Sequence, residues 1–243
     1  MNYAVYICYN GTAYHGFQFQ PGEITVNGEI RRALSEIFES YTGLTGCSRT
    51  DCGVHANKFC FSFSSEKEMP CSVLIRALNN KLPTDIRAFD AKNVDDGFHA
   101  RYSVKSKEYI YKIYNHEISS PFAEGLSFYF PYKLNIEELN KIACLFVGKH
   151  DFSSFRAVGS KIKDPVRTVY SAVFEKQGEY VVFRISGDGF LYKMVRLIVG
   201  ALLMCARGKL TPDDITAMLN GRSNNIPYTV PACGLYLNEI NYD

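Results

Sequence analysis

Residues 25–39, TVNGEIRRALSEIFE, decide the fold. The apolar positions Val26, Ile30, Ala33, Leu34, Ile37 and Phe38 recur at helical spacing, so this stretch predicts a helix from Val26 to about Glu39. Upstream, Tyr3–Tyr9 alternates and is rich in β-formers. Downstream, one strand candidate ends near Gly46 and another covers Phe59–Phe63. A helix then follows Pro70 to about Asn79, and Ile86–Val94 reads as a strand. The order is β-α-β-β-α-β. The second half repeats it: strand Glu108–Asn115, helix Ile136–Val147, strands Val166–Phe174 and Tyr180–Ile185, helices from Phe190 and Pro212, and a last strand Leu235–Ile240. The chain therefore reads as α+β, with two tandem ferredoxin-like halves at 1–100 and 101–243. Each half is expected to form an antiparallel sheet with helices on one face. No linker rich in Pro, Gly or Ser separates the halves, so the sheets are expected to associate around a central cleft.

Composition restricts the class further. With 243 residues, 47% hydrophobic and 21% charged, the chain has the profile of a globular protein with ample core. The start, MNYAVYICYNG, lacks a basic region followed by a long apolar run, and no stretch approaches the roughly 18 apolar residues of a membrane span. A cytoplasmic protein is expected, without membrane partners. Eight scattered cysteines without pairing rhythm point to reduced thiols. Net charge is only +2, but RYSVKSKEYIYK (101–112) and RAVGSKIKDPVR (156–167) each carry a local balance of +3. Lys105, Lys107, Arg156, Lys161 and Lys163, interleaved with aromatic residues, suit RNA phosphates and unstacked bases, although solvated loops carry such footprints too.

Two further segments hold candidate chemistry. On a helical wheel from Phe190, Leu191, Met194, Val195, Ile198, Val199 and Leu202 form one broad stripe, with Leu197, Leu203 and Met204 on other sides. Arg196 lies off the stripe on the side of Gly200 and Arg207. If that side is covered, the guanidinium needs a carboxylate; otherwise it extends along the helix to water. The stretch GCSRTDCGVH (46–55) admits several readings. Cys47, Cys52 and His55 as metal ligands lack a fourth ligand nearby. Cys52 as nucleophile with His55 as base needs an orienting group that the sequence does not supply. Asp51 as the working group, between Arg49 and a second arginine, stands level with a plain turn at Thr50, Asp51 and Gly53.

The stretch GCSRTDCGVHA resembles the central motif of the tRNA pseudouridine synthases of the TruA type. YNGTAYHGFQFQP and TVNGEIRRAL resemble that family's opening; LNNKLPTDI and FHARYSVKSKEYIYKIYN its middle; HDFSSFR, GDGFLYKMVRLIVG and GLYLNEINY the rest. The resemblance spans almost the whole chain and implies the pseudouridine synthase fold and a cofactor-free isomerase. It would form pseudouridine in the anticodon stem-loop of tRNA, act as a homodimer, and modify uridines on the 3′ side of the arm. By motif position it implies that Asp51 is the catalytic aspartate. Tyr109 would stack on the flipped base and assist loss of the carbon 5 proton, and Arg196 would pair with the aspartate. Leu191 would pack beside the base, and Arg49 would hold the nucleotide out of its stack. Ser48, Cys52 and Phe17 depart from the family's usual glycine, alanine and tryptophan. Those departures leave open a paralogue with another RNA target. A non-catalytic RNA-binding module would not need Asp51, and a cysteine hydrolase would need Cys52 and His55.

Overall fold

The computed structural model describes residues 1–157, 159, 164–221 and 228–243. Along the chain run β1 (Asn2–Tyr9), α1 (Val26–Ile37), β2 (Thr42–Gly46), β3 (His55–Ser64), α2 (Cys71–Lys81), β4 (Ile86–Val94), β5 (Ser106–Tyr114), β6 (Phe128–Tyr129), α3 (Ile136–Ala143), β7 (Gly148–Asp151), β8 (Val166–Gln177), β9 (Tyr180–Gly187), α4 (Met194–Ala206), α5 (Pro212–Leu219) and β10 (Leu235–Asn241). The architecture is α+β. Two compact units divide the chain, Met1–Lys105 with Tyr236–Asp243, and Ser106–Leu235.

In the first unit β1 lies between β3 and β4 and is antiparallel to both, so Val5 faces Phe61 on one side and Ala91 on the other. Pairing on both edges buries Tyr3, Val5 and Ile7 completely. The rings of Tyr3 and Phe63 stack with centroids 5.2 Å apart, and Phe38 meets Phe63 edge-on at 5.5 Å. That packing explains why α1 stops at Ile37, short of Glu39: Phe38 turns extended and drives its ring into the core. At the other end, the Thr25 hydroxyl caps α1 by accepting the Gly28 N–H at 3.1 Å. α2 runs two residues beyond Asn79, whose side chain turns to the neighbouring strand. Its amide donates to the Ala88 carbonyl at 2.7 Å and accepts from the Ala88 N–H at 2.8 Å, tying α2 to β4.

The second edge of β3 is divided. β2 pairs with its Phe61–Ser64 end, while β10 pairs in parallel with His55 and Ala56 through Tyr236 and Leu237. β10 thus completes the first unit from the far end of the chain.

In the second unit β9 lies between β5 and β8, with Tyr109 opposite Ile185 and Phe174 opposite Phe183. β7 pairs with β8, and the two-residue β6 runs parallel to β5. Asn140 on α3 repeats the device of Asn79: it donates to the Phe174 carbonyl at 3.0 Å and accepts from the Phe174 N–H at 2.6 Å. α4 begins at Met194, four residues later than its apolar run, because Lys193 takes a left-handed φ of 59°. Among the described residues Lys193 is the only non-glycine with positive φ, a conformation that costs energy and collects at functional sites. Among those residues no helix is long and apolar enough to cross a membrane.

Candidate active site

Asp51 sits on the Cys47–Val54 connection, which leaves β2 and returns at His55, where β3 changes partner to β10. The Cys47 N–H still donates to the Cys60 carbonyl at 2.8 Å. A turn then closes from the Val54 N–H to the backbone carbonyl of Asp51 at 3.2 Å, with Gly53 at φ 76°. This closure runs through the backbone.

The segment Tyr9–Phe17 fixes the connection from outside. Phe17 N–H donates to the Thr50 carbonyl and Gly53 N–H donates to the Tyr14 carbonyl, both at 3.2 Å. The Tyr9 and Thr50 hydroxyls meet at 2.9 Å in a buried hydrogen bond. Gly16 has φ 82°, and a Cβ there would fall 2.5 Å from the Thr50 oxygen and 3.1 Å from the Asp51 carbonyl carbon. Only glycine allows this approach. Tyr14 donates its hydroxyl to Asp85 Oδ1 at 2.5 Å, and burial together with Asp85 holds that hydroxyl well above the usual tyrosine range. The peptide groups flanking Asp51 are therefore pinned on both sides. Asp51 is half-buried and Arg49 is exposed.

The same neighbourhood shows where the cysteines and the histidine of this stretch stand. Cys47 is buried and its sulfur accepts the Cys60 N–H at 3.4 Å, whereas Cys52 is exposed. His55 is fully buried; its Nδ1 accepts the Gly11 N–H at 3.0 Å, and its ring stacks on Tyr236 with centroids 4.4 Å apart. An imidazole held in this way is a structural one. Among the described residues no three His, Cys, Asp or Glu side chains converge as a metal site requires. The departures from the family pattern are accommodated. Ser48 needs no positive φ, and Phe17, 5% exposed, stacks on Phe59 with centroids 4.3 Å apart.

In the second unit Tyr109, Leu191 and Arg196 are linked through neighbouring groups. Tyr109 on β5 is buried and meets Phe190 edge-on, with centroids 5.2 Å apart. Phe190 leads directly to buried Leu191, whose carbonyl accepts the Met194 N–H at 3.0 Å and so starts α4. Arg196 follows on the first turn of that helix, half-buried, with Nε donating to the Val230 carbonyl at 2.8 Å. The side of α4 bearing Arg196 and Gly200 is thus covered, by residues 228–230. Arg156 and Lys107 are half-buried, and Lys105, in the first unit, is exposed. Lys161 and Lys163 lie outside the described residues. Burial holds the pKa of Lys112 below the usual lysine range.

Sequence reasoning missed Tyr14 and Gly16, which meet the backbone around Asp51, Tyr9, which meets the Thr50 hydroxyl, and Phe190, which packs edge-on against Tyr109. Their signals were present in YNGTAYHG and GDGFLY as aromatic and glycine positions, without the packing that gives them meaning.

A family model described as tRNA pseudouridine synthase matches residues 6–103 and 142–243. The tRNA pseudouridine synthase A of Thermoanaerobacter sp. (strain X514) is 40% identical over 242 residues, covering 99% of each chain. Its namesakes from Bacillus pumilus (strain SAFR-032) and Bacillus subtilis (strain 168) are 39% and 38% identical over 240 residues, each covering 98% of this chain and 97% of its own.

Proposed function

The chain belongs to the tRNA pseudouridine synthase family, and from that membership we propose that it isomerises uridine to pseudouridine in the anticodon stem-loop of tRNA, with Asp51 as the nucleophile. The pinned turn that holds Asp51 is the observation that supports this reading. An attacking group on a rigid support keeps the near-attack geometry that a mobile loop loses. A uridine within a stem must first leave its stack, at a cost of a few kcal/mol, and Arg49, which is exposed, holds it out in this reading. The bond from N1 to the ribose breaks as the Asp51 carboxylate takes up the sugar or base. The uracil turns, carbon 5 bonds to the ribose as Asp51 is released as a free carboxylate, and the proton lost from carbon 5 is balanced by one gained at N1. The reaction is an isomerisation with no net oxidation.

In this reading Tyr109 stacks on the turning base and takes part in the carbon 5 proton transfer, while Leu191 packs against its apolar face. Arg196 pairs with Asp51, offsetting the desolvation that would otherwise protonate a carboxylate in a closed site. Lys105, Lys107, Arg156, Lys161 and Lys163 bind phosphates. A homodimer in the cytoplasm, gripping one anticodon arm with both subunits, belongs to the same proposal.

The test is incubation with uridine-containing tRNA followed by nucleoside chromatography. Wild type yields pseudouridine. Asp51→Asn yields none while tRNA affinity stays within a few fold, because phosphate interactions carry most of the binding. Pseudouridine formed by Asp51→Asn at a substantial rate overturns the proposal.

A further inference from the structure

We infer that the segment Tyr228–Pro231 is a strap that aims Arg196, with Gly200 and Tyr111 as the positioning residues that seat it. The inference rests on the reading of Arg196 as the cation that serves the catalytic carboxylate, and concerns how its fork is directed.

Hydrogen bonds at both ends and one close approach between them define the strap. Arg196 Nε donates to the Val230 carbonyl at 2.8 Å, and the Val230 N–H donates back to the Arg196 carbonyl at 3.4 Å. One turn along α4, a Cβ built on Gly200 would lie 1.6 Å from the Tyr228 carbonyl oxygen and 2.8 Å from its carbon. Both distances lie inside van der Waals separation, so the strap reaches its depth only because residue 200 lacks a side chain. Beyond Val230, the Tyr111 hydroxyl on β5 donates to the Pro231 carbonyl at 2.7 Å. Tyr111 is fully buried, and that burial pushes its pKa up strongly, so the hydroxyl keeps its proton and remains a donor.

The consequence is directional. A guanidinium is planar, with its donors in a rigid fork, so engaging Nε fixes the rotation of the plane and the heading of both Nη nitrogens. Displacing the strap takes away the acceptor that sets this heading. Held by the Val230 carbonyl, Arg196 presents one orientation. β5 then does double duty, since Tyr109 and Tyr111 lie two residues apart on the same strand and share one face. Tyr109 would meet the base, while Tyr111 anchors the element that steers the arginine.

The experiment uses the full chain and single-turnover kinetics on tRNA at several pH values. Gly200→Ala must push the Tyr228 carbonyl outward, and displacement of about 1 Å at a catalytic group costs on the order of a hundredfold in rate. The expected result is that fall in kcat with KM little changed, and an acid limb of the pH profile moved to higher pH as the carboxylate is deprived of its aimed cation. Tyr111→Phe is the milder variant. It keeps the ring and removes one hydrogen bond, so kcat falls by about twofold to tenfold with the same direction of pH shift. If Gly200→Ala does not fold, Tyr111→Phe carries the test alone. Wild-type kcat and pH profile in Tyr111→Phe, with Arg196→Leu inactive, overturn the strap and leave the arginine's role standing. Activity in Arg196→Leu, with Asp51→Asn inactive, overturns instead the reading on which the strap rests.

Discussion

The Tyr9 hydroxyl meets Thr50 and holds the residue before Asp51 in place. Removing it tests whether nucleophile placement depends on support that never reaches the substrate. Tyr9→Phe leaves the Thr50 hydroxyl without its buried partner, at a cost of about 0.5–1.5 kcal/mol in stability. The single-turnover rate should fall severalfold while tRNA affinity holds. A filter-binding assay beside the kinetics separates the two. The cysteines should sort by environment. Cys52 and Cys144 are exposed, whereas Cys47 and Cys60 are buried, with the Cys60 thiol pushed up to about 12 by burial. Iodoacetamide followed by peptide mapping should label the first pair in native protein well before the second, and Cys52→Ala should retain activity. The same burial sets an alkaline limit. Cys60 in the folded state keeps a proton that the unfolded chain gives up from about pH 9, so its contribution to stability declines as pH rises from there toward about 12. Asp51 stood out as a candidate in the sequence because its neighbours form a motif. Tyr9 and Gly16 did not stand out, because a hydroxyl bond to Thr50 and a close approach to the backbone are matters of packing that no residue type announces.

Elements show a different division between what the pattern carries and what packing decides. Periodicity located α1 to α5, since each turns an apolar stripe inward, yet it misplaced ends wherever one side chain found a better use outside the helix. Phe38 left α1 for the core, and Lys193 delayed α4 by turning left-handed. β6 and β7 escaped notice because two residues, and the polar run Gly148–Asp151, carry no alternation to read. The asparagines Asn79 on α2 and Asn140 on α3 were equally silent: each imitates a strand's peptide group and pins a helix to its sheet. Asn140→Ala strips both hydrogen-bond partners from the Phe174 peptide groups at once. Leaving a donor and an acceptor unpaired should destabilise the protein by about 1–3 kcal/mol, measured as a lower denaturant midpoint with unchanged slope. Asn140→Asp, which keeps the acceptor but not the donor, should be destabilised less.

At the scale of the whole molecule, a net charge of +2 makes RNA affinity a matter of where cations stand. Neutralising Lys105 and Lys107 together should flatten the salt dependence of tRNA binding by a slope of about one for each phosphate no longer neutralised. An unchanged slope would mean that these two lysines meet no phosphate. The division of the β3 edge has a consequence for how the protein comes into being. Residues 106–235 separate the two pieces of the first unit, and Lys105 N–H donates to the Asn241 carbonyl at 2.8 Å, so in polymer terms the second unit is one long loop of the first. Closing such a loop grows costlier by only about 0.6 kcal/mol for each doubling of its length, and folding the loop first shortens its effective span. During synthesis, the His55 end of β3 waits for Tyr236 while the entire second unit is translated. In pulsed hydrogen exchange on refolding protein, the amides pairing His55–Ala56 with Tyr236–Leu237 should gain protection last. The connection carrying the proposed nucleophile is anchored at that end of β3, so catalytic competence would arrive only with the final strand, and a nascent chain would stay inert toward RNA chemistry until then.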